Sequence, residues 1–163
     1  MSWAAGNIAV GFVSTVHPET ATVRVRFPDR EDLVSAPLQV GMRRAGGTAT
    51  YAMPSVDEHV VCLLFGTGIE AGVILCSLYD EDNLPPVTGD VVYTQAPTGD
   101  FIAFHLATGQ LVIQAGGGVA ITGDVLVTGS VTVTGDVTAD GISLTSHTHS
   151  GVEAGMASTG QPQ

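Results

Sequence analysis

His147-Thr148-His149 is the pair of side chains in this sequence whose type and spacing point to metal chemistry. In an extended chain, residues i and i+2 face the same way, so both imidazoles present their nitrogens to one side. Two nitrogens from one chain are too few for a closed metal site. Three chains about a threefold axis would supply six, an octahedral shell made of imidazole alone. Zinc prefers four ligands and calcium prefers oxygen, so six imidazoles point to iron, with nickel and cobalt as poorer fits. The pair is therefore a site only if something upstream holds three chains together.

That something is legible immediately before it. Gly117, Gly123, Gly129, Gly135 and Gly141 are spaced six apart, with Val119, Val125, Val131 and Val137 registered on them. Ile121, Val127, Val133 and Ala139 follow two places further on. Each unit reads as a short V-x-V strand with two apolar side chains on one face, closed by a T-G-D/S turn in which Gly supplies the unusual backbone angle. Hexapeptide periodicity of this kind marks a β-helix. The repeat runs only from Val119 to about Leu144, whereas a single-chain helix needs about three hexads per coil and several coils. So short a strip cannot bury its own valine face. Three copies wound about one axis can, and their backbone pairing would remove exposed edges. A homotrimer is the expected assembly. A solvated low-complexity tail would have no use for valines in register.

Composition narrows the function classes. Of 163 residues, 44% are hydrophobic but only 6% aromatic, and 21 are Gly. This is a β-and-turn vocabulary with few large core side chains. There is no Lys, and Arg24, Arg26, Arg30, Arg43 and Arg44 carry all the fixed positive charge against 16 acidic residues, a net charge of −11. A surface for nucleic acid needs the opposite balance, so none is expected as a partner. No run of about 18 apolar residues offers a transmembrane helix. Met1 to Asn7 lacks the basic and apolar regions of a secretory signal. Cys62 and Cys76 lie in apolar runs without ligand spacing and read as buried free thiols of a protein made in a reducing cytosol, although adjacent strands would also allow a disulfide.

The first half of the chain reads as short strands and turns. Val10 to Val16 and Thr20 to Phe27 flank His17-Pro18-Glu19 as a hairpin. Thr22, Arg24 and Arg26 alternate with Val23, Val25 and Phe27, giving one polar and one buried face. Leu33 to Val40 is a further strand interrupted by Pro37, and His59 to Phe65 and Val73 to Leu78 are the most apolar. About five strands without an amphipathic helix imply a small closed barrel. Asp80 to Pro86 breaks the pattern, and Phe101 to Leu106 with Gln110 to Gln114 then reads as a hairpin. No constellation for catalysis emerges. GxSxG does not occur, Gly116-Gly117-Gly118 lacks the Lys-Ser/Thr of a phosphate loop, and His17 lies in a turn, His59 follows Asp57-Glu58 at the start of an apolar strand and His105 alternates with Phe104 and Leu106. Asp57-Glu58 and Asp80-Glu81-Asp82 read as solvated loop charges. The expectation is a protein that is not an enzyme.

In its order of parts the chain resembles the central tail-spike protein of contractile-tailed bacteriophages, the baseplate assembly protein V family. In the first half the resemblance rests on Ala21 to Asp29, Leu33 to Leu38, Arg43 to Gly47, Met53 to Cys62, Gly72 to Leu75 and Leu84-Pro85-Pro86. In the second it rests on the repeat, then Ser146-His147-Thr148-His149 and a short Gly-rich end. It implies an all-β chain: an N-terminal OB-fold barrel, then an intertwined trimeric triple-stranded β-helix with a metal-bound apex. The expected division is 1–84 barrel, 85–99 linker, 100–146 β-helix spike and 147–163 apex. It further implies one iron per trimer on His147 and His149 of each chain. Some members also hold calcium and chloride inside the helix, for which Asp124, Asp136 and Asp140 are candidates in principle.

The function so implied is mechanical: a virion protein at the baseplate tip, synthesised in the host cytoplasm, that punctures the host outer membrane on sheath contraction. The barrel would face other tail and baseplate proteins. Two alternatives stand beside it. One is the spike tip of a related contractile secretion apparatus. The other is an OB-fold binding module for single strands or sugars, against which stand the charge and the scarcity of stacking aromatics.

Overall fold

The computed structural model describes residues 6–66, 68–148, 150–151 and 155. Contacts divide the chain into two units, Met1–Gln114 and Ala115–Gln163. In the first, the expected strands form in the expected order. They are β1 (Gly6–His17), β2 (Thr22–Phe27), β3 (Leu33–Val34), β4 (Leu38–Val40), β5 (His59–Phe65) and β6 (Gly72–Ser77). β1 pairs antiparallel with both β2 and β5, β5 pairs with β6, β6 runs parallel to β4, and β4 returns to β2. The sheet thus closes on itself. A five-strand Greek-key barrel with β3 and β4 as one interrupted strand is the OB topology.

Alternation explains the core. Val23, Val25 and Phe27 of β2 are fully buried, with Val13, Leu38, Val60, Cys62, Leu64 and Ile74 around them. Arg24 and Arg26 point outward, as their alternation predicts, but Thr22 is buried, its hydroxyl 2.9 Å from that of Thr20. Pro37 splits the third strand where the sequence places it, and Ser35 compensates. Its N–H donates to the Val25 carbonyl at 2.8 Å, its hydroxyl oxygen accepts the Val25 N–H at 3.0 Å, and its carbonyl accepts Arg24 Nη1 at 3.0 Å. A side chain here does the work of a missing ladder partner.

The cysteines correct one expectation. Both thiols are free, but only Cys62 is buried; Cys76 is exposed. A register shift follows Val61, so Cys76 lies opposite Val61 while Cys62 lies opposite Ile74. Neighbouring residues on a strand face opposite sides, which points Cys62 into the barrel and Cys76 out of it. Burial pushes the Cys62 thiol up to about 11.

Beyond the barrel, β7 (Val91–Gln95), β8 (Phe101–His105) and β9 (Gln110–Gln114) form an antiparallel three-stranded sheet. The β8–β9 hairpin is the one expected, and β7 falls within 85–99. Val92, Phe104 and Leu111 share one row of this sheet and Ile102 and Ile113 the next; all five are exposed in the single chain.

The second unit carries the hexads. Gly123 and Gly129 hold φ values of 120° and 139°, which an L side chain avoids, in line with the turn role read from the sequence. Among the described residues, the V-x-V segments from Val119 to Val133 have no strand partner in their own chain, and no strand lies between β9 and β10 (Thr138–Ala139). A strand is defined by its partners, and one copy offers none. Val119, Ile121, Val125, Val127, Val131 and Val133 are exposed, Val131 at 70%. β10 pairs with β11 (Ile142–Ser143) across Asp140-Gly141, whose φ values of 49° and 78° are the two positive angles of a tight hairpin turn.

Ser35→Ala tests the barrel. It leaves the buried Val25 N–H without its acceptor and should cost about 1–3 kcal/mol of stability, read as a lower denaturant midpoint with unchanged slope.

Candidate metal centre

The Asp140-Gly141 turn decides which residues meet at the C-terminal end. Pairing of Thr138 with Ser143 and of Ala139 with Ile142 brings Val137 beside Leu144, whose N–H donates to the Val137 carbonyl at 2.9 Å. One step further, the Thr145 N–H donates to Asp136 Oδ1 at 3.1 Å. The chain then coils into a turn about Ser143. The Ser146 N–H and hydroxyl lie 3.0 and 2.9 Å from Ser143 Oγ. The Ser143 carbonyl accepts the His147 N–H at 3.2 Å and lies 2.8 Å from His147 Nδ1.

That last contact fixes the chemistry of the ring. A carbonyl only accepts, so Nδ1 carries the hydrogen, and a neutral imidazole then has its lone pair on Nε2. A metal-binding histidine has this arrangement: one ring nitrogen donates to a backbone carbonyl and the other is the ligand. His147 therefore fits the metal role expected of it. His149 lies outside the described residues. Gly141, Ile142, Ser143, Ser146, His147 and Thr148 line an open hollow of about 560 Å³. Among the described residues, no three His, Cys, Asp or Glu side chains converge as a metal site within one chain. A metal at His147 would need further ligands from outside the described residues of one chain.

Asp136 was legible in the sequence only as a calcium candidate beside Asp124 and Asp140. The structure gives it a local task. The Ser143 hydroxyl, ahead of smaller contributions from the backbone and hydroxyl of Thr145 and the Val137 backbone, holds its carboxyl below the ordinary aspartate value, against an opposing contribution from desolvation. Asp140 occupies the first left-handed position of the turn. The signal that could have found Asp136 is the Asp-Gly dipeptide, because the turn type it favours sets the register that faces Asp136 to Thr145.

His17, His59, Glu58 and Asp80 serve the barrel. His17 ends β1, 3.6 Å from Glu19. His59 stacks on Phe12 at 4.6 Å between ring centroids, and its Nδ1 sits 3.3 Å from Asp80 Oδ2 without the alignment of a hydrogen bond. His105 ends β8 and is exposed. Glu58 and Asp80 are not the solvated loop charges their sequence implies. Glu58 accepts from the Ser55 N–H at 2.8 Å and from the Ser77 hydroxyl. Asp80 accepts from the N–H groups of Asp82 and Asn83 at 3.1 and 2.9 Å, closing the turn that leaves the barrel. With Asp57 and Asp82 they line a cleft of about 770 Å³ that Arg26 and Phe12 also border. Arg26 is itself engaged, 2.7 Å from Asp32 and above the Phe12 ring.

A closed OB-type barrel and a glycine-registered β extension with a histidine at its end define a class of two-part, all-β proteins. Residues 9–79 match the family described as the Type VI secretion system/phage-baseplate injector OB domain, and residues 141–163 match the GpV Apex motif. The spike protein of Escherichia phage P2 is 32% identical over 77 residues, which are 47% of this chain and 36% of that protein. The chain therefore spans little more than a third of the curated relative it matches. The barrel and apex matches together make the chain similar to phage baseplate spike proteins.

The lowered Asp136 value sets a pH window. A carboxylate whose folded value lies below its unfolded one of about 3.9 stabilises the fold above that value, and the contribution is lost as pH falls through the folded value. The Thr145 amide should keep its hydrogen-bonded chemical shift down through the ordinary aspartate range and lose it only in stronger acid. Loss near pH 5 in an NMR titration would contradict the Asp136–Thr145 bond.

Proposed function

We propose that three copies of this chain form the rigid, membrane-piercing tip of a contractile phage tail. The observation that carries the reading is the hexad strip from Val119 to Val133: β-branched side chains in strict register, exposed and, among the described residues, without strand partners in their own chain. Three such strips about one axis would bury these side chains and pair the backbones, and the exposed rows of the β7–β9 sheet are apolar in the same sense. Piercing a bilayer mechanically needs stiffness and a point that does not fray, and chain ends otherwise fray. His147 and His149 from three chains supply six imidazoles for one iron, which would tie the three ends together. His147 presents Nε2, with Nδ1 held by Ser143. Calcium and chloride within the β-helix are not assigned to residues.

The barrel is the part that engages other tail and baseplate proteins, which places the assembly in the virion at the baseplate tip after synthesis in the host cytoplasm. The role is structural rather than enzymatic. Its acidic cleft, where the bordering arginine is paired with Asp32, offers no seat for a phosphate backbone, so the nucleic-acid-binding module is the weaker reading. The spike of a contractile secretion apparatus remains the second reading, because the family matched by residues 9–79 covers both machines. Immunodetection in purified virions separates them.

Sedimentation equilibrium at micromolar concentration should give a trimer mass, and the band should resist SDS without boiling; a monomer would overturn the assembly. Metal analysis should find one iron per trimer. Replacing both histidines with alanine should remove the iron and leave the trimer mass intact, because the apolar strip and not the ion holds the shaft. Iron unchanged in the double variant would overturn the ligand assignment.

A further inference from the structure

We propose that the outer edge of β1 at Ile8 and Val10 is a docking site that receives an extended strand from another protein of the assembled particle. The inference rests on reading the barrel as the part that engages tail and baseplate proteins, and it names the mode of contact. Its basis is the direction of the hydrogen bonds along β1 and β5. The Leu78 N–H donates to the His59 carbonyl and the Phe65 N–H to the Ala71 carbonyl, both on the side away from β1. Peptide groups of an antiparallel strand alternate sides, so Val60, Cys62 and Leu64 are the β5 residues that bond toward β1. Their partners are Gly11, Ala9 and Asn7. Ile8 and Val10 therefore aim their N–H and C=O groups away from β5.

Among the described residues nothing meets them there. β2 covers β1 only from Phe12, opposite Arg26, to His17. Two residues further along that ladder Pro28 would face Val10, but it has no N–H, and the chain turns off through Pro28–Arg30. No backbone bond reaches Ile8 or Val10 from that side. The side chains suit the same use. Ile8 is 71% exposed and Val10 is exposed beside it, with half-buried Leu63 and Val61 across the ladder. No charged residue lies between Asn7 and Val16, and the bulge of β1 comes only after Val13. Charges, prolines and bulges are what normally keep an edge from pairing. A hollow of about 400 Å³ lies beside this edge, bounded by Pro28, Asp29 and His59. Asp29 has no ion-pair partner among the described residues.

A second copy is a poor occupant. Two such edges pair about a two-fold axis, which would leave one of three chains unpaired in the proposed trimer. β3, at the end of the sheet order, offers only two residues. The occupant is then an extended segment of a different protein, apolar at alternate positions, with Lys or Arg where it passes Asp29. Main-chain bonds supply the affinity of such an added strand, and side-chain pockets its selectivity.

Hydrogen exchange, read residue by residue, tests this on the full chain, both isolated and in the purified contractile particle. In the isolated protein the amides of Asn7, Ala9 and Gly11 should be protected, and those of Ile8 and Val10 should exchange fast. In the particle the latter two should slow by roughly tenfold or more, as amides in a ladder do. Val10→Pro removes an N–H that the β1–β5 ladder does not use. The denaturant midpoint should therefore stay nearly unchanged, while incorporation into particles falls severalfold. Ile8→Lys charges the edge without altering the backbone and should lower incorporation likewise. Protection of Ile8 and Val10 in the isolated protein would show the edge already filled by a second copy or by the chain itself, and overturns the proposal. Normal incorporation of both variants does the same. A chain present in particles but still fast at Ile8 and Val10 overturns the proposal alone; a chain absent from particles overturns the proposed function with it.

Discussion

The structure depends on one unsatisfied demand: a strip of β-branched side chains and open backbone that a single chain cannot cover. Val119, Val125, Val131 and their partners two places on remain exposed, and among the described residues their peptide groups have no ladder. Fully burying a valine contributes about 1.5–3 kcal/mol. Repeated along the strip, that outweighs anything a single ion or hydrogen bond supplies. An unpaired strand edge with an apolar face is also a hazard, open to any other edge. Pairing with identical copies, as proposed above, would remove the hazard and supply the stability in one step, with the glycines at six-residue spacing keeping the copies in register.

The barrel solves the opposite problem. Its sheet closes on itself through the β1–β2 and β1–β5 ladders, its core is filled by its own residues, and its broken third strand is repaired from within by Ser35. Such a unit is indifferent to its copy number. On the proposed function it would carry contacts to other proteins without compromising assembly, while the strip would do the assembling. The charge distribution follows the same division, since every arginine lies in the barrel and none beyond Arg44.

Periodicity made most of this legible. The alternation of β2, the interruption at Pro37, the β8–β9 hairpin and the hexads all announce themselves through residue spacing, and so does the histidine pair. What stayed hidden depends on pairing between segments. Val60-Val61-Cys62-Leu63-Leu64 is apolar throughout, so no alternation shows which thiol faces inward, and the register shift after Val61 decides it. Ser35 looks like any loop serine until Val25 is placed beside it. Glu58 and Asp80 look like surface charges until the strands bring Ser77 and the departing chain to them. Asp136 is the sharpest case. Its sequence context is one more T-G-D unit, identical to that of Asp124, and only the turn four residues later gives it a different task.

That difference bears on how six imidazoles from three chains can assemble. If each ring were free when the chains met, ordering all of them would fall on the assembly step, with the entropic cost that immobilised side chains carry in any interface. The bonds around Ser143 lie within one chain and within a span of twelve residues, Asp136 to His147. They can form as soon as the Asp140-Gly141 hairpin closes, before any second chain is present. In the proposed trimer, the ring would arrive with its tautomer already chosen, and a threefold axis would have only to multiply it. On the proposed function, the valine strip would drive association and the hairpin would prepare the ligand.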